Sequence, residues 1–166
     1  VWRMPVAAGP KTLTINKGGR VRTTVYHVFD RVPQTRVHIN GGEFTLGSES
    51  YFSPFFEMTG GTLDGVGEAR MWATAVMIHA APEPSVIEAP VNFYSTNAAV
   101  FIVEDGAAEP DLLVNGPILN NGGAGMVKAG PGSMRVSGSI SQTNVAIASG
   151  TLTLAADNAA VPRATR

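Results

Sequence analysis

The chain has no cysteine. That excludes disulfide staples, thiolate nucleophiles and cysteine-ligated zinc. Charge is scarce: charged residues make up 15% of the chain, where about 25% is usual. The 12 basic and 13 acidic residues nearly cancel, leaving a net charge of −1. Nucleic-acid binding driven by bulk positive charge is therefore not expected. No apolar run reaches the roughly 18 residues that a membrane span requires. Histidine occurs at His27, His38 and His79 only, without metal-ligand spacing. This thin chemical inventory points away from an enzyme, and no catalytic residue, cofactor or metal is expected. What is plentiful is apolar residues, at 44%, and glycine, at 19 of 166 residues. That composition describes a glycine-punctuated all-β body.

Charge is unevenly distributed. Residues 1–40 hold seven bases and one acid, +6; residues 41–111 hold eleven acids and Arg70, −10; residues 112–166 hold four bases and Asp157, +3. A basic end beside an acidic middle favours association of copies, because complementary charge steers encounter. Such contacts are expected to weaken as salt rises.

A short pattern recurs along the chain. Two alternating apolar residues lead into a glycine corner, and one or two more follow. Val37 and Ile39 precede Gly41-Gly42, then Phe44 and Leu46. Phe56 and Met58 precede Gly60-Gly61, then Leu63. Val145 and Ile147 precede Ser149-Gly150, then Leu152 and Leu154. Leu13 and Ile15 precede Gly18-Gly19 as a looser copy. The second glycine at 19, 42 and 61 gives steps of 23 and 19 residues. Alternation puts each apolar set on one strand face, and glycine admits the tight corner. A unit of about 20 residues with short strands is one coil of a solenoid, which must stack to bury its apolar face. The chain thus predicts a β-solenoid of about seven or eight coils, a rod roughly 35 Å long at ~4.8 Å per coil. Residues 1–166 read as a single domain with ragged ends at 1–10 and 160–166. Glu68 to Ala81 reads as a strand, and Asn120 to Gly125 as a loop between coils.

The C-terminal third resembles a known repeat. Met126-Val-Lys-Ala-Gly-Pro-Gly-Ser-Met-Arg-Val-Ser-Gly138 matches the pattern L-x-K-x-G-x-G-x-L-x-L-S-G. Val145, Gly150, Thr151, Leu152 and Leu154 match its closing x-V-x-x-G-T-L-x-L. This is similar to the passenger-associated β-strand repeat of bacterial autotransporters, over residues 100–158. The polar stretch Ser139–Asn144 is shorter than in that repeat, and no membrane-barrel segment is present. The resemblance implies a right-handed parallel β-helix in a secreted or cell-surface protein, of which this chain, starting at Val1, is a fragment or processed piece. It implies no reaction.

The function expected is a structural and interaction module: a rigid extracellular rod that self-associates as an oligomer or filament, or displays an adhesive surface to a glycan or protein. Candidate surface residues are the aromatic Tyr51, Phe52 and Phe55, the basic Arg20, Arg22 and Arg36, and the acidic Glu104 and Asp105. The alternative is a carbohydrate-binding or carbohydrate-active β-helix, such as a lyase or tail-spike-like protein. It would require charged groups converging on one exposed sheet face.

Overall fold

The structure, a computed structural model, describes residues 11–24, 35–52, 54–71, 75–94, 98–120, 125–142 and 144–155. All eighteen elements in them are strands. The first coil contributes β1 (Lys11–Asn16) and β2 (Arg20–Thr23), and the second β3 (Thr35–Asn40), β4 (Glu43–Leu46) and β5 (Ser50–Phe52). The third contributes β6 (Pro54–Thr59), β7 (Gly61–Gly65) and β8 (Ala69–Met71). The fourth contributes β9 (Ala75–Ile78), β10 (Ser85–Ile87) and β11 (Val91–Phe93). The fifth contributes β12 (Ala99–Val103), β13 (Leu112–Val114) and β14 (Ile118–Asn120). Then come β15 (Met126–Ala129) and β16 (Ser133–Val136), and finally β17 (Val145–Ile147) and β18 (Thr151–Leu154).

Each strand pairs in parallel with its counterpart one coil away, forming three sheets. The first sheet runs β1-β3-β6-β9-β12-β15-β17, the second β2-β4-β7-β10-β13-β16-β18, and the third β5-β8-β11-β14. Ile140 extends the third sheet by a parallel bridge to Ile118. The fold is the expected all-β parallel solenoid, but with about five turns rather than seven or eight, and two further strands are described at each end. The fourth and fifth coils are longer than the sequence steps imply. The step from Phe101 to Lys128 is 27 residues, against 19 from Thr35 to Pro54. The extra length sits in one corner: residues 79–84 in the fourth coil and 104–111 in the fifth separate the first sheet from the second.

Apolar residues stack in columns along the rod. One column reads Leu13, Val37, Phe56, Val76, Phe101, Lys128, Ile147. Another reads Val21, Phe44, Leu63, Ile87, Val114, Val136, Leu154. Phe52 packs edge-on against Phe44 and Phe56, at centroid distances of 5.7 and 5.1 Å, and Phe93 against Phe101 at 5.5 Å. Ile15, Val37, Ile39, Phe56 and Met58 are buried as expected. The glycine steps have a steric cause. A side chain at Gly61, where φ is +80°, would place its Cβ 2.5 Å from the Gly42 carbonyl oxygen; one at Gly42 would meet Ile15 Cγ2 at 2.5 Å.

The segment 68–81 is not one strand. Met71 and Val76 are both fully buried, which a single alternating strand forbids for residues five apart. The chain changes sheets between them, from β8 to β9. The Asn120–Gly125 stretch begins as the end of β14, and residues 121–124 lie outside the described residues. The ragged ends 1–10 and 160–166 also lie outside them.

Candidate interaction surfaces

The expected surface residues do not form one site. Arg20 and Arg22 lie exposed on β2 in the first coil, and Arg36 on β3 in the second. Glu104 and Asp105 are exposed at the long corner of the fifth coil, about 19 Å from the first coil at ~4.8 Å per step. Two of the bases find acidic partners nearer by. Arg20 Nε lies 3.1 Å from Glu43 Oε2, and Arg36 Nε 3.3 Å from Glu57 Oε1. Phe52 is a correction: its ring is fully buried in the core, because alternation along β5 turns it inward with Phe44 and Phe56. The side chains of Tyr51 and Phe55 lie outside the described residues.

Two polar clusters lie on the rod's flanks. On the first sheet, Glu57 of the third coil faces Arg36 and also His79, whose Nε2 is 3.5 Å from Glu57 Oε2. His79 Nδ1 is 3.5 Å from Glu104 Oε1, and Glu104 Oε2 accepts a hydrogen bond from the Ala80 amide at 3.1 Å. His38 points outward, as the alternation requires. Its Nε2 lies 2.8 Å from Thr59 Oγ1, and its ring meets His79 edge-on at 5.9 Å. Burial holds the His38 imidazole below its ordinary value, aided by the charges of His79 and Arg36 and opposed by Glu57.

On the third sheet, Arg70 reaches Glu49 at 2.6 Å through Nη2 and Glu68 at 2.8 Å through Nε. Glu68 Oε1 also accepts from Asn92 Nδ2 at 3.0 Å and Tyr94 Oη at 3.5 Å. The guanidinium stands 5.2 Å over the Tyr94 ring. Three charged groups therefore do converge on one face, a feature the sequence reading did not place. They are engaged with one another: one carboxylate oxygen takes three donors. Among the described residues, no group of three or more His, Asp or Glu is placed to hold a metal, and no helix is long and apolar enough to cross a membrane.

Two charged residues face inward. Asp111 is buried and accepts from the Gly106 amide at 2.7 Å, the Ser133 amide at 2.7 Å and Ser133 Oγ at 3.0 Å. It ties the long corner of the fifth coil to the start of β16. Lys128 is fully buried. Its Nζ donates to the carbonyls of Ala129 at 3.1 Å, Gly130 at 2.8 Å and Ser149 at 3.0 Å. Burial lowers the Lys128 pKa, with Asp111 opposing.

The last turn is unlike the interior ones. Inner-face positions of the interior coils are almost wholly buried, yet Ile147, next in the column after Phe101 and Lys128, is 55% exposed. Val145, Leu152 and Leu154 are only half-buried. Ile147 is on the inward register as expected, but among the described residues no further strand is paired with β17 beyond β15. At the opposite end Leu13 and Val21 are likewise half-buried.

Compared with known proteins, the chain matches no family model, no curated protein and no solved structure.

Proposed function

We propose that this protein is a structural and interaction module: a rigid β-helix rod that works outside the cell and self-associates. The observation that carries the reading is the contrast between flanks and ends. Several flank charges, among them Arg20, Arg36 and Arg70, pair within the chain, whereas among the described residues the last turn leaves Ile147 exposed and β17 and β18 each paired on one side only. A parallel edge with unpaired backbone groups and an uncovered apolar layer is a template for another strand. The secreted or surface setting and the link to autotransporter passenger repeats rest on the motif from Met126 to Gly138 and its sequel to Leu154. Lys128, the lysine of that motif, has a defined structural task here as donor to three corner carbonyls.

The test is light scattering with sedimentation at micromolar concentration, in low and high salt. Oligomers that persist in high salt are expected, because an apolar contact is insensitive to screening. A strictly monomeric chain in both conditions refutes the proposal.

One observation favours the second reading, a carbohydrate-binding or carbohydrate-active β-helix. Glu49, Glu68 and Arg70 meet beside Tyr94 on a single parallel-sheet face. Turnover or binding of polysaccharide that is lost in Glu68→Gln would favour it over the structural reading.

A further inference from the structure

We infer that the outward face of the first sheet across β9, β12 and β15 is a docking surface for a polypeptide segment that combines apolar with basic side chains. Strands of a parallel sheet that are covered on both faces read as continuous apolar runs rather than as alternation. β9 reads Ala-Val-Met-Ile and β12 reads Ala-Val-Phe-Ile-Val. The inward residues Val76, Ile78, Phe101 and Val103 are fully buried, so core packing accounts for only one of the two apolar sets. The register lines up the outward set in two rows: Val100, Val127 and Ala146 in one, Met77, Ile102 and Ala129 in the other. All six keep surface that those inward residues lack: Ala146 is exposed and the rest are half-buried. Followed toward the first coil, the Met77 row turns polar, through Glu57 and His38 to Thr14.

Charge around this face has one sign. Residues 71–120 contain six acids and no lysine or arginine. Glu104 continues the outward parity of Ile102 just beyond β12 and is exposed, as are Asp105 beside it and Glu83 in the corner after β9. Glu57 and Glu104 flank His79 at the same border. Complementary charge selects a partner, and like charge rejects one. A second copy presenting this same face would set these carboxylates against their equivalents, so the occupant is not the same face of another rod. A segment with Lys or Arg beside its apolar residues suits both the rows and their acidic border. The rows run over three strand spacings, about 14 Å, which an extended segment of about five residues covers. Unlike the polar rows of the first three coils, the two apolar rows hold no side-chain hydrogen bond that a ligand must displace. This docking is independent of the self-association proposed above.

Labelled peptides of equal length serve as probes: alternating Val-Lys, alternating Val-Glu and alternating Ser-Lys. Fluorescence anisotropy against the full chain should show micromolar binding of the Val-Lys peptide, with the other two weaker by roughly tenfold or more. The variant Val100→Thr/Ile102→Thr keeps a β-branched residue at both strand positions and removes apolar surface from both rows. The variant Glu104→Gln/Asp105→Asn removes charge from the border and keeps an acceptor for the Ala80 amide. Each should weaken the Val-Lys peptide by roughly tenfold. Circular dichroism and thermal unfolding confirm that each variant is folded like the parent.

Equal binding of the Ser-Lys and Val-Lys peptides would overturn the inference in favour of bulk charge attraction. Val-Lys binding that is unchanged in both variants would overturn it by placing the peptide elsewhere. No binding of any probe would overturn it as well, including the case in which other parts of the chain already cover the face. Light scattering of the same samples separates this inference from self-association. Oligomers lost in Val100→Thr/Ile102→Thr would overturn it in favour of a second copy on this face. Peptide binding lost with the oligomers unchanged would support it. Monomers throughout, with peptide binding as expected, would refute the self-association proposal alone.

Discussion

Lys128→Met asks whether a buried ammonium is needed beneath the last described turn. Methionine keeps the aliphatic stem in the column between Phe101 and Ile147 and removes the three donors. The carbonyls of Ala129 and Gly130 belong to half-buried residues, and that of Ser149 to an exposed one. Water can replace the donor at Ser149. The other two acceptors are left short, at about 1–2 kcal/mol each toward the low end of the usual cost for buried groups. Against this, the variant no longer strips water from a charge, a penalty visible in the lowered pKa of Lys128. The net expectation is a loss of about 1–3 kcal/mol. Lys128→Ala should lose roughly 2 kcal/mol more, through the cavity left by the stem.

Urea unfolding monitored by circular dichroism measures the loss, and hydrogen exchange locates it. Protection should fall first in β17 and β18, because Ser149 belongs to the corner between them. The pH dependence has a definite sign. Folding holds Lys128 below its ordinary value of 10.5. Between the folded pKa and 10.5, the unfolded chain keeps a proton that the folded chain has released, so stability rises with pH across that window. Below the window, the cost of burying the charge is fully present. The methionine variant lacks this slope, and the gap between the two proteins should widen toward pH 10.5. A variant as stable as the parent, or more stable, with unchanged exchange at β17 and β18 would refute the role assigned to the ammonium.

Ile39→Ala should cost about 2–5 kcal/mol in urea unfolding, since Ile39 is fully buried and leaves a cavity among stacked coils. Gly61→Ala should cost more than about 1 kcal/mol, because φ is +80° and the new Cβ lies 2.5 Å from the Gly42 oxygen. Burial first, then His79 and Arg36 against Glu57, holds His38 below its ordinary value of 6.5. As pH falls through 6.5 the unfolded chain takes the proton first, so stability is lost on acidification; thermal unfolding of His38→Gln between pH 7 and pH 5 should show a shallower loss than the parent.

The architecture was legible because two local signals coincide with it. Alternation at Val37/Ile39 and Phe56/Met58 identifies the inward face, and Gly42 and Gly61 mark where one coil passes too close to the last for a side chain. The coil count was less legible. Corner insertions at 79–84 and 104–111 carry no apolar period, so they lengthen a coil without announcing it. Between Met71 and Val76 the alternation changes phase, and a continuous reading of that segment hid a corner. The inward Lys128 was readable in principle, since it shares parity with Met126, but a lysine is ordinarily taken for surface. The Glu49–Arg70–Glu68 convergence was not readable. Its members lie 19 or more residues apart across coils, apart from the local Glu68–Arg70 pair, and only the register of β5, β8 and β11 brings the rows together.

The distribution of satisfied and unsatisfied groups argues for where the rod acts. Along the flanks, polar groups of neighbouring coils engage one another: His38 with Thr59, Asn40 with Asn16, Asn115 with Glu88, Glu68 with Asn92, and Arg70 with Glu49. Such side-chain rows fix the coils in register, and each pair adds little alone when exposed. A ligand on those faces must displace partners already in place. At the last turn the balance is reversed. Among the described residues, half of the backbone hydrogen-bonding capacity of β17 and β18 has no partner strand, and the apolar column stops at an exposed isoleucine. Another strand added there gains hydrogen bonds and buries apolar surface without breaking an internal contact. The self-association proposed above is therefore less costly at the last described turn than on the flanks.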